Sequence, residues 1–252
     1  MNNYTATQSN EWDMLADRFN THKSGKDVHP DAAVNVHVGW PAITSQIEYQ
    51  KSFLGKDKLK ILDFGCGVGH FCAYLHEKGQ DVTGVERSDK MRKIAQDTFP
   101  FPDKILSIKA FGDAEIRKLV AQGYDVVTAI HVFDWIENVE EVIESLVQVL
   151  KKGGILIFSV FPKEHIKDSL LIKDLFEDFD SAQDPKVGYA NFDGVRVKVF
   201  VRQPSFYDKL FSSLGFEKIM EFYPPYPKEF MSKYKWTGSL HPEMVILTYR
   251  KI

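Results

Sequence analysis

Residues 60–75 read KILDFGCGVGHFCAYL. A short apolar run carrying one acid is followed by three glycines at alternate positions and then by a stretch with helical patterning. The order predicts a strand, a sharp turn and a helix. Glycines at 65, 67 and 69 let the chain leave the strand abruptly and let backbone N–H groups approach a ligand at the start of the helix. A dinucleotide-binding G-x-G-x-x-G would have its third glycine where this chain has His70. Asp63, just before the turn, would repel a pyrophosphate and can hold a cationic group. The loop therefore reads as a cradle for a ligand that carries positive charge in place of phosphates.

Outward from this stretch, KILDF, DVTGVE, ILSIKA, YDVVTAIH and GILIFSVF alternate with helical patterns, one ending near Gly79 and another starting at Ser88. Alternation at this pitch predicts a parallel sheet covered by helices on both faces. The helix before GILIFSVF sets Val139, Val142, Ile143, Leu146 and Leu150 on one side, with Asn138 and Glu141 spaced as a capping box and Gly153 past its end. Asp89 reads as part of the cap of the helix that carries Met91, Ile94 and Ala95. Upstream, Trp12, Leu15, Ala16 and Phe19 recur at one-face helical spacing, and KSGKDVHPDAAVNVHVGWPA after them reads as irregular. Residues 163–204 break the rhythm with SLLIKDLFEDF and then NFDGVRVKVFV, where Asp193 and Gly194 predict a hairpin turn. A helix in SFYDKLFSSLG and two strand-like runs, FEKIMEFY and EMVILTYRK, follow, the last two expected to pair antiparallel at a sheet edge.

Composition narrows the function classes. The chain has 252 residues, 44% hydrophobic and 27% charged, with a formal net charge of −3, so it can bury a core and offers no general footprint for nucleic acid. No apolar run reaches the length of a membrane span, and MNNYTATQSNEWD lacks the basic start and apolar centre of a signal peptide, so the expected location is the cytoplasm. Cys66 and Cys72, six apart, match neither a disulfide framework nor a redox or zinc pair. His29, His76, His165 and His241 have no partner at metal-ligand spacing, so no metal site is expected.

ILDFGCGVGHF, VTGVERSDKM, AFGDAE and YDVVTAIHVFDWIENVEEVIESLVQVLKKGGILIFSV together resemble, in order and separation, the motifs of the class I S-adenosylmethionine-dependent methyltransferases, in the small-molecule group often labelled type 11. The resemblance implies an α/β, Rossmann-like, doubly wound sheet of seven mostly parallel strands with an antiparallel edge strand. It also implies an N-terminal helical lid over 1–57 and a cofactor-binding domain over 58–252 with an inserted cap at 163–204. The cofactor it implies is S-adenosyl-L-methionine, leaving as S-adenosyl-L-homocysteine, and the partner is a small-molecule acceptor. Asp63, Gly65, Cys66, Gly67 and Gly69 match the first motif, and Glu86, with Arg87 beside it, matches the acid that holds both ribose hydroxyls. Asp113 matches the residue that meets the exocyclic amine of adenine, and Ala114 a backbone contact to the ring.

His131 follows the fourth strand, at the carboxyl edge where open α/β sheets bind ligands. It can serve as a general base on an acceptor hydroxyl or amine, or simply line the cofactor pocket or bond a backbone carbonyl. Trp135 is placed to shape the pocket floor or to pack in the core, and His37 and Trp40 are candidates for a lid. The late aromatics Phe176, Phe179, Tyr189, Phe192, Tyr223, Tyr226 and Trp236 can roof an acceptor pocket or form the core of an added subdomain. A nicotinamide-dependent oxidoreductase and a non-catalytic S-adenosylmethionine-binding protein are the rival readings.

Overall fold

A computed structural model describes residues 7–22, 28–107, 113–173, 175–180, 186–236 and 238–252, without side chains for 7–9 and 113–116. The first helices are α1 (Thr7–Leu15), α2 (Pro30–Val34) and α3 (Trp40–Leu54), the last two joined by a π-helical turn at Asn35–Gly39. The stretch expected to be irregular is thus helical from Pro30 onward. Pro30 and Pro41 sit in first-turn positions, where a missing N–H costs nothing, so neither proline breaks the run.

The βα units then follow as β1 (Lys60–Phe64), α4 (His70–Glu77), β2 (Asp81–Glu86), α5 (Asp89–Thr98), β3 (Ile105–Ser107), α6 (Asp113–Gln122), β4 (Tyr124–Ile130), α7 (Val139–Leu146) and β5 (Leu150–Val160). Between β5 and the final strands lie α8 (Lys163–Ile172), β6 (Phe176–Glu177), β7 (Val187–Phe192), β8 (Val195–Phe200) and α9 (Pro204–Ser213). The chain continues with β9 (Phe216–Phe222), α10 (Lys228–Tyr234) and β10 (Val245–Lys251). A seven-stranded sheet runs β3-β2-β1-β4-β5-β10-β9, and β6-β7-β8 form a separate antiparallel sheet. The strands β3, β2, β1, β4 and β5 pair in parallel, while β10 is antiparallel to both β5 and β9. The reversed strand is therefore one place in from the edge, and β9 closes the sheet.

Local signals explain most boundaries. Ser88 caps α5 by accepting the amide of Met91 at 3.1 Å, and Asp89 instead pairs with Arg92, so the cap is one residue earlier than expected. The capping box expected on α7 is not made, because Asn138 Nδ2 donates to Glu141 Oε2. A 3₁₀ turn at Val147–Val149 ends that helix early, and Leu150, expected on its apolar face, opens β5. Asp193 and Gly194 both have positive φ, the geometry of a two-residue hairpin turn between β7 and β8.

Three cores hold these layers together. On one face of the large sheet α7 and α9 bury Val142, Ile143, Tyr207 and Phe211, and on the other α3 and α4 bury Ile43, Ile47, Phe71 and Leu75. The third lies above the carboxyl edge: Leu15 at the end of α1 and Ala16 just after it pack with Trp135, Phe161, Phe176, Phe192 and Val199. Full burial of each such side chain is worth about 1.5–3 kcal/mol, which fixes α1 and the small sheet over the end of β1 and β4.

Candidate functional site

The strand order reverses direction between β1 and β4, and at such a switch point the loops leaving the two strands diverge and open a crevice. A cavity of about 260 Å³ occupies it. The glycine loop after β1, Glu86 and Arg87 at the end of β2 and His131 after β4 all line it, together with Asp63, Cys66, Trp40 and Trp135. Asp31, Asn35, His70, Phe161 and Glu243 also contribute to the lining, and none of these was singled out from the sequence for the site. His37 is not among the lining residues; its ring packs near Phe230 and Tyr234, at 5.8 and 5.9 Å. Asp113 and Ala114 open α6, but their side chains and residues 108–112 lie outside the described residues.

The glycine loop is built by left-handed backbone. Gly65, Gly67 and Gly69 have φ of 73°, 56° and 77°, a region that side chains disfavour. A Cβ on Gly65 would fall 2.6 Å from Val132 Cγ2, and one on Gly69 would fall 2.8 Å from Ala95 Cβ. At Gly67 the nearest atom would be Met91 Sδ at 4.0 Å, so this glycine faces space. Four of the loop amides are used within the protein. Gly65 and Cys66 donate to Val85 O at 2.9 and 3.0 Å, Gly69 donates to Cys66 O at 2.9 Å, and Gly67 donates to Glu86 Oε2 at 2.8 Å.

Two buried carboxylates flank this loop. Glu86 accepts Gly67 N–H on one oxygen and Ser88 N–H, at 2.7 Å, on the other. Burial pushes its pKa up, while these backbone donors hold it down, and burial prevails. Asp63 accepts from Thr128 Oγ1 at 2.7 Å and from Cys72 Sγ at 3.4 Å. Burial raises its pKa to about 6 against those two bonds. Both acids are thus desolvated, and a positively charged ligand in the cavity would relieve each.

At the other wall, His131 has φ +48°, an unusual conformation for a non-glycine residue. Its amide donates to Ser159 Oγ at 3.0 Å, and its carbonyl accepts from Trp135 Nε1 at 2.5 Å. Its ring lies 4.6 Å from that of Phe161, and neither ring nitrogen has a hydrogen-bond partner among the described residues. Asn35 Oδ1 and His70 Nδ1 are likewise buried polar atoms without a partner among the described residues. The His70 ring packs edge-on to Trp40 at 4.9 Å and near His22 at 4.7 Å.

The wall over the cavity comes from both ends of the chain. Trp12 and Phe19 meet Trp135 and Phe192 at ring distances of 5.1 and 5.3 Å. Arg18 bonds Asp31 at 2.8 Å and also pairs with Asp193 in the β7–β8 turn, which ties the N-terminal segment to the small sheet. Of the late aromatics, Phe192 lines the cavity, Phe176 is buried in the third core, and Trp236 packs with Tyr226 and Phe230. Among the described residues no group of three or more His, Cys, Asp or Glu side chains is arranged to hold a metal, and no helix is long and apolar enough to cross a membrane.

The chain is 32% identical over 108 residues to the malonyl-[acyl-carrier protein] O-methyltransferase of Acetivibrio thermocellus, covering 42% of this chain and 37% of that protein. It is 32% identical over 115 residues to the human mitochondrial ubiquinone biosynthesis O-methyltransferase, covering 44% of this chain and 31% of that one. The chain spans about a third to a half of the length of the curated relatives it matches. In fold, it resembles the magnesium protoporphyrin IX methyltransferase of Synechocystis PCC 6803, at a TM-score of 0.59 and 17% identity over 99% of this chain and 96% of that one. It also resembles an S-adenosylmethionine dependent methyltransferase of Mesorhizobium loti, at 0.54 and 18% over 77% and 91%. A family model described as a methyltransferase domain matches residues 43–221, well over half of the chain, and the chain belongs to that family.

Proposed function

We propose that the protein transfers a methyl group from S-adenosyl-L-methionine to a small-molecule acceptor and releases S-adenosyl-L-homocysteine. The observation that carries this reading is the inward use of the glycine-loop amides. A pyrophosphate-binding loop needs those N–H groups free for an anion, but the amides at 65, 66, 67 and 69 are all committed within the protein. Two buried acids, Asp63 and Glu86, flank them. This favours a ligand that is cationic and carries hydroxyls, and counts against a nicotinamide dinucleotide.

The residues present fit the cofactor. Glu86 would hold its ribose hydroxyls on the lone pairs its backbone donors leave open, with Arg87 beside it. Asp63, Gly65, Cys66, Gly67 and Gly69 would hold the amino-acid part, and Asp113 and Ala114 the adenine. When bound, the cofactor supplies an already activated methyl group on a cationic sulfur. What remains for the chain is to align the acceptor with that methyl and to exclude water. Trp40, Trp135 and Phe161 form an apolar wall suited to this, and His131 is placed to take a proton from the acceptor. We assign residues 1–57 as a lid and 163–204 as a cap over the 58–252 domain, because Trp12, Phe19, Asp31 and Phe192 roof the cavity from those two segments.

The chain would be incubated with cofactor labelled in the methyl group and an extract of small metabolites, and the products analysed for label. A labelled small molecule that depends on active protein is the expected result. Bound S-adenosylmethionine with no labelled product would favour the non-catalytic reading. Thermal unfolding gives a rapid first check, since a ligand at 100 times its Kd adds about 2.7 kcal/mol of stability.

A further inference from the structure

Three residues after His131, the carboxylate of Asp134 is completely buried. It lies in the short 3₁₀ turn Phe133–Trp135, and its Oδ2 is 3.8 Å from His131 Nδ1. Both of its oxygens face the amide of Phe161, at 3.1 and 3.3 Å. The same Phe161 ring packs against the His131 imidazole. Asp134 thus links the loop after β4 to the end of β5, and it stands at one nitrogen of an imidazole whose two nitrogens have no hydrogen-bond partner among the described residues.

We propose that Asp134 is the positioning residue for a His131 general base: its carboxylate accepts a hydrogen bond from Nδ1–H, which leaves Nε2, across the ring, as the basic atom in the cavity. This rests on the methyl-transfer reading given above. A gap of 3.8 Å is longer than a hydrogen bond, and catalytic bonds of this kind commonly tighten only when substrate binds. In the step itself, His131 Nε2 accepts the proton of an acceptor O–H or N–H while that O or N forms its bond to the methyl carbon. The carbon–sulfur bond breaks, and its electron pair stays on sulfur. The positive charge moves from sulfonium to imidazolium, and the Asp134 carboxylate is the nearest group that stabilises it.

The rest of the surroundings suit this role. His131 is held at both backbone ends, by Ser159 and Trp135, in a left-handed conformation that costs free energy and persists only where neighbours enforce it. Other charged or titratable groups bear on the pair. His165 of α8 stacks on the far aromatic neighbour, Phe161, at 6.4 Å, and burial pushes its pKa down to about 4, so it is neutral in the working range. Burial pushes the Asp134 pKa up, while His131, the Phe161 amide and Arg202 favour its ionised form. Asp31, Asp63, Glu86 and Glu243 line the same cavity and, when ionised, favour a protonated His131 as Asp134 does.

Asp134→Asn is the discriminating variant, because its amide oxygen still accepts the Phe161 N–H while the charge is lost. Nitrogen-15 NMR of histidine-labelled protein, with S-adenosylhomocysteine added, should place the neutral-state proton of His131 on Nδ1 in the parent. In Asp134→Asn the His131 pKa should fall by about one unit or more. Label transfer into the metabolite extract should drop roughly 10- to 100-fold, with its acidic limb moved to lower pH and S-adenosylhomocysteine affinity within about twofold of the parent. A proton on Nε2 in the parent, or an unchanged His131 pKa in the variant, would overturn the dyad. The NMR arm needs no acceptor, so it decides the dyad even if no label is transferred, an outcome that would count against the methyl-transfer reading instead.

Discussion

Gly67 gives its amide hydrogen to Glu86 Oε2 at 2.8 Å, and through that bond the glycine loop and the end of β2 act as one unit. Glu86 has therefore two duties, shaping the loop from within and facing the cavity.

Glu86→Ala should weaken S-adenosylhomocysteine binding and also lower stability, because Gly67 and Ser88 lose acceptors worth roughly 1.5–3 kcal/mol each. The burial cost of the carboxylate offsets part of this. Calorimetry and thermal unfolding on the same sample separate the two effects. Lost affinity at full stability would assign Glu86 to the ligand alone.

The glycines should separate in the same way. Gly69→Ala forces a Cβ against the backbone and Cβ of Ala95 at a positive φ, so a stability loss of about 2–4 kcal/mol is expected from strain and overpacking. Gly67→Ala meets nothing nearer than 4.0 Å and should lose only the conformational part, about 1–2 kcal/mol. Its larger effect should be on ligand affinity, since the new methyl group enters the cavity lining. Urea unfolding and titration calorimetry would show the two variants in opposite order.

Asp63 has a folded pKa of about 6, raised from an ordinary 3.8 by burial. A raised carboxylate stabilises the folded chain below its unfolded pKa, and that contribution is lost as the pH climbs through about 6. Without ligand, Asp63 should cost roughly 3 kcal/mol between pH 4 and 7, by the usual 1.36 kcal/mol per pK unit. An ammonium group held beside Asp63 favours the ionised form, so S-adenosylhomocysteine affinity should rise across the same window with release of a proton. Calorimetry in buffers of different ionisation enthalpy measures that proton. In Asp63→Asn both dependences should flatten.

Arg18 is expected to latch the roof. Burial pushes the Asp31 pKa up, but bonds to His29 and Arg18 outweigh it and leave the acid below its ordinary range. Arg18→Ala removes the guanidinium shared by Asp31 and the Asp193 turn, with an expected loss of about 1–2 kcal/mol that shrinks in high salt. Protease cleavage within residues 7–35 should speed up several-fold. An unchanged digestion rate would mean that the aromatic contacts alone hold the segment.

The parts of this site that could be read from the chain are those made by neighbours in sequence. The turn after β1, the acid closing β2 and the histidine after β4 each follow a strand in a repeated βα rhythm, and the fold brings strand ends together automatically. Asp31, Asn35 and Glu243 reach the cavity from segments with no such rhythm, so nothing local announces them. Asp134 was in plain view beside His131, but three residues apart in a short 3₁₀ turn is no recognised pairing until the backbone path is known. His37 turns towards Phe230 and Tyr234, because the π-helical turn that carries it decides which side of the chain faces inward, and an irregular-looking stretch of sequence gives no such phase.

The π-helical turn at Asn35–Gly39 also sets the angular phase between α2 and α3. Such a turn holds one residue more than the α-helix it interrupts, and one residue is about 100° of rotation. Removing a single residue between 35 and 39 would let the helix run through uninterrupted, and α2 would swing by about a quarter turn relative to α3. Asp31 and Asn35 would leave the cavity together, while Trp40, on the far side of the joint, kept its place. The roof is therefore indexed to the floor by one surplus residue, a tolerance so narrow that chain length in this segment, more than its composition, decides whether the two halves of the cavity meet.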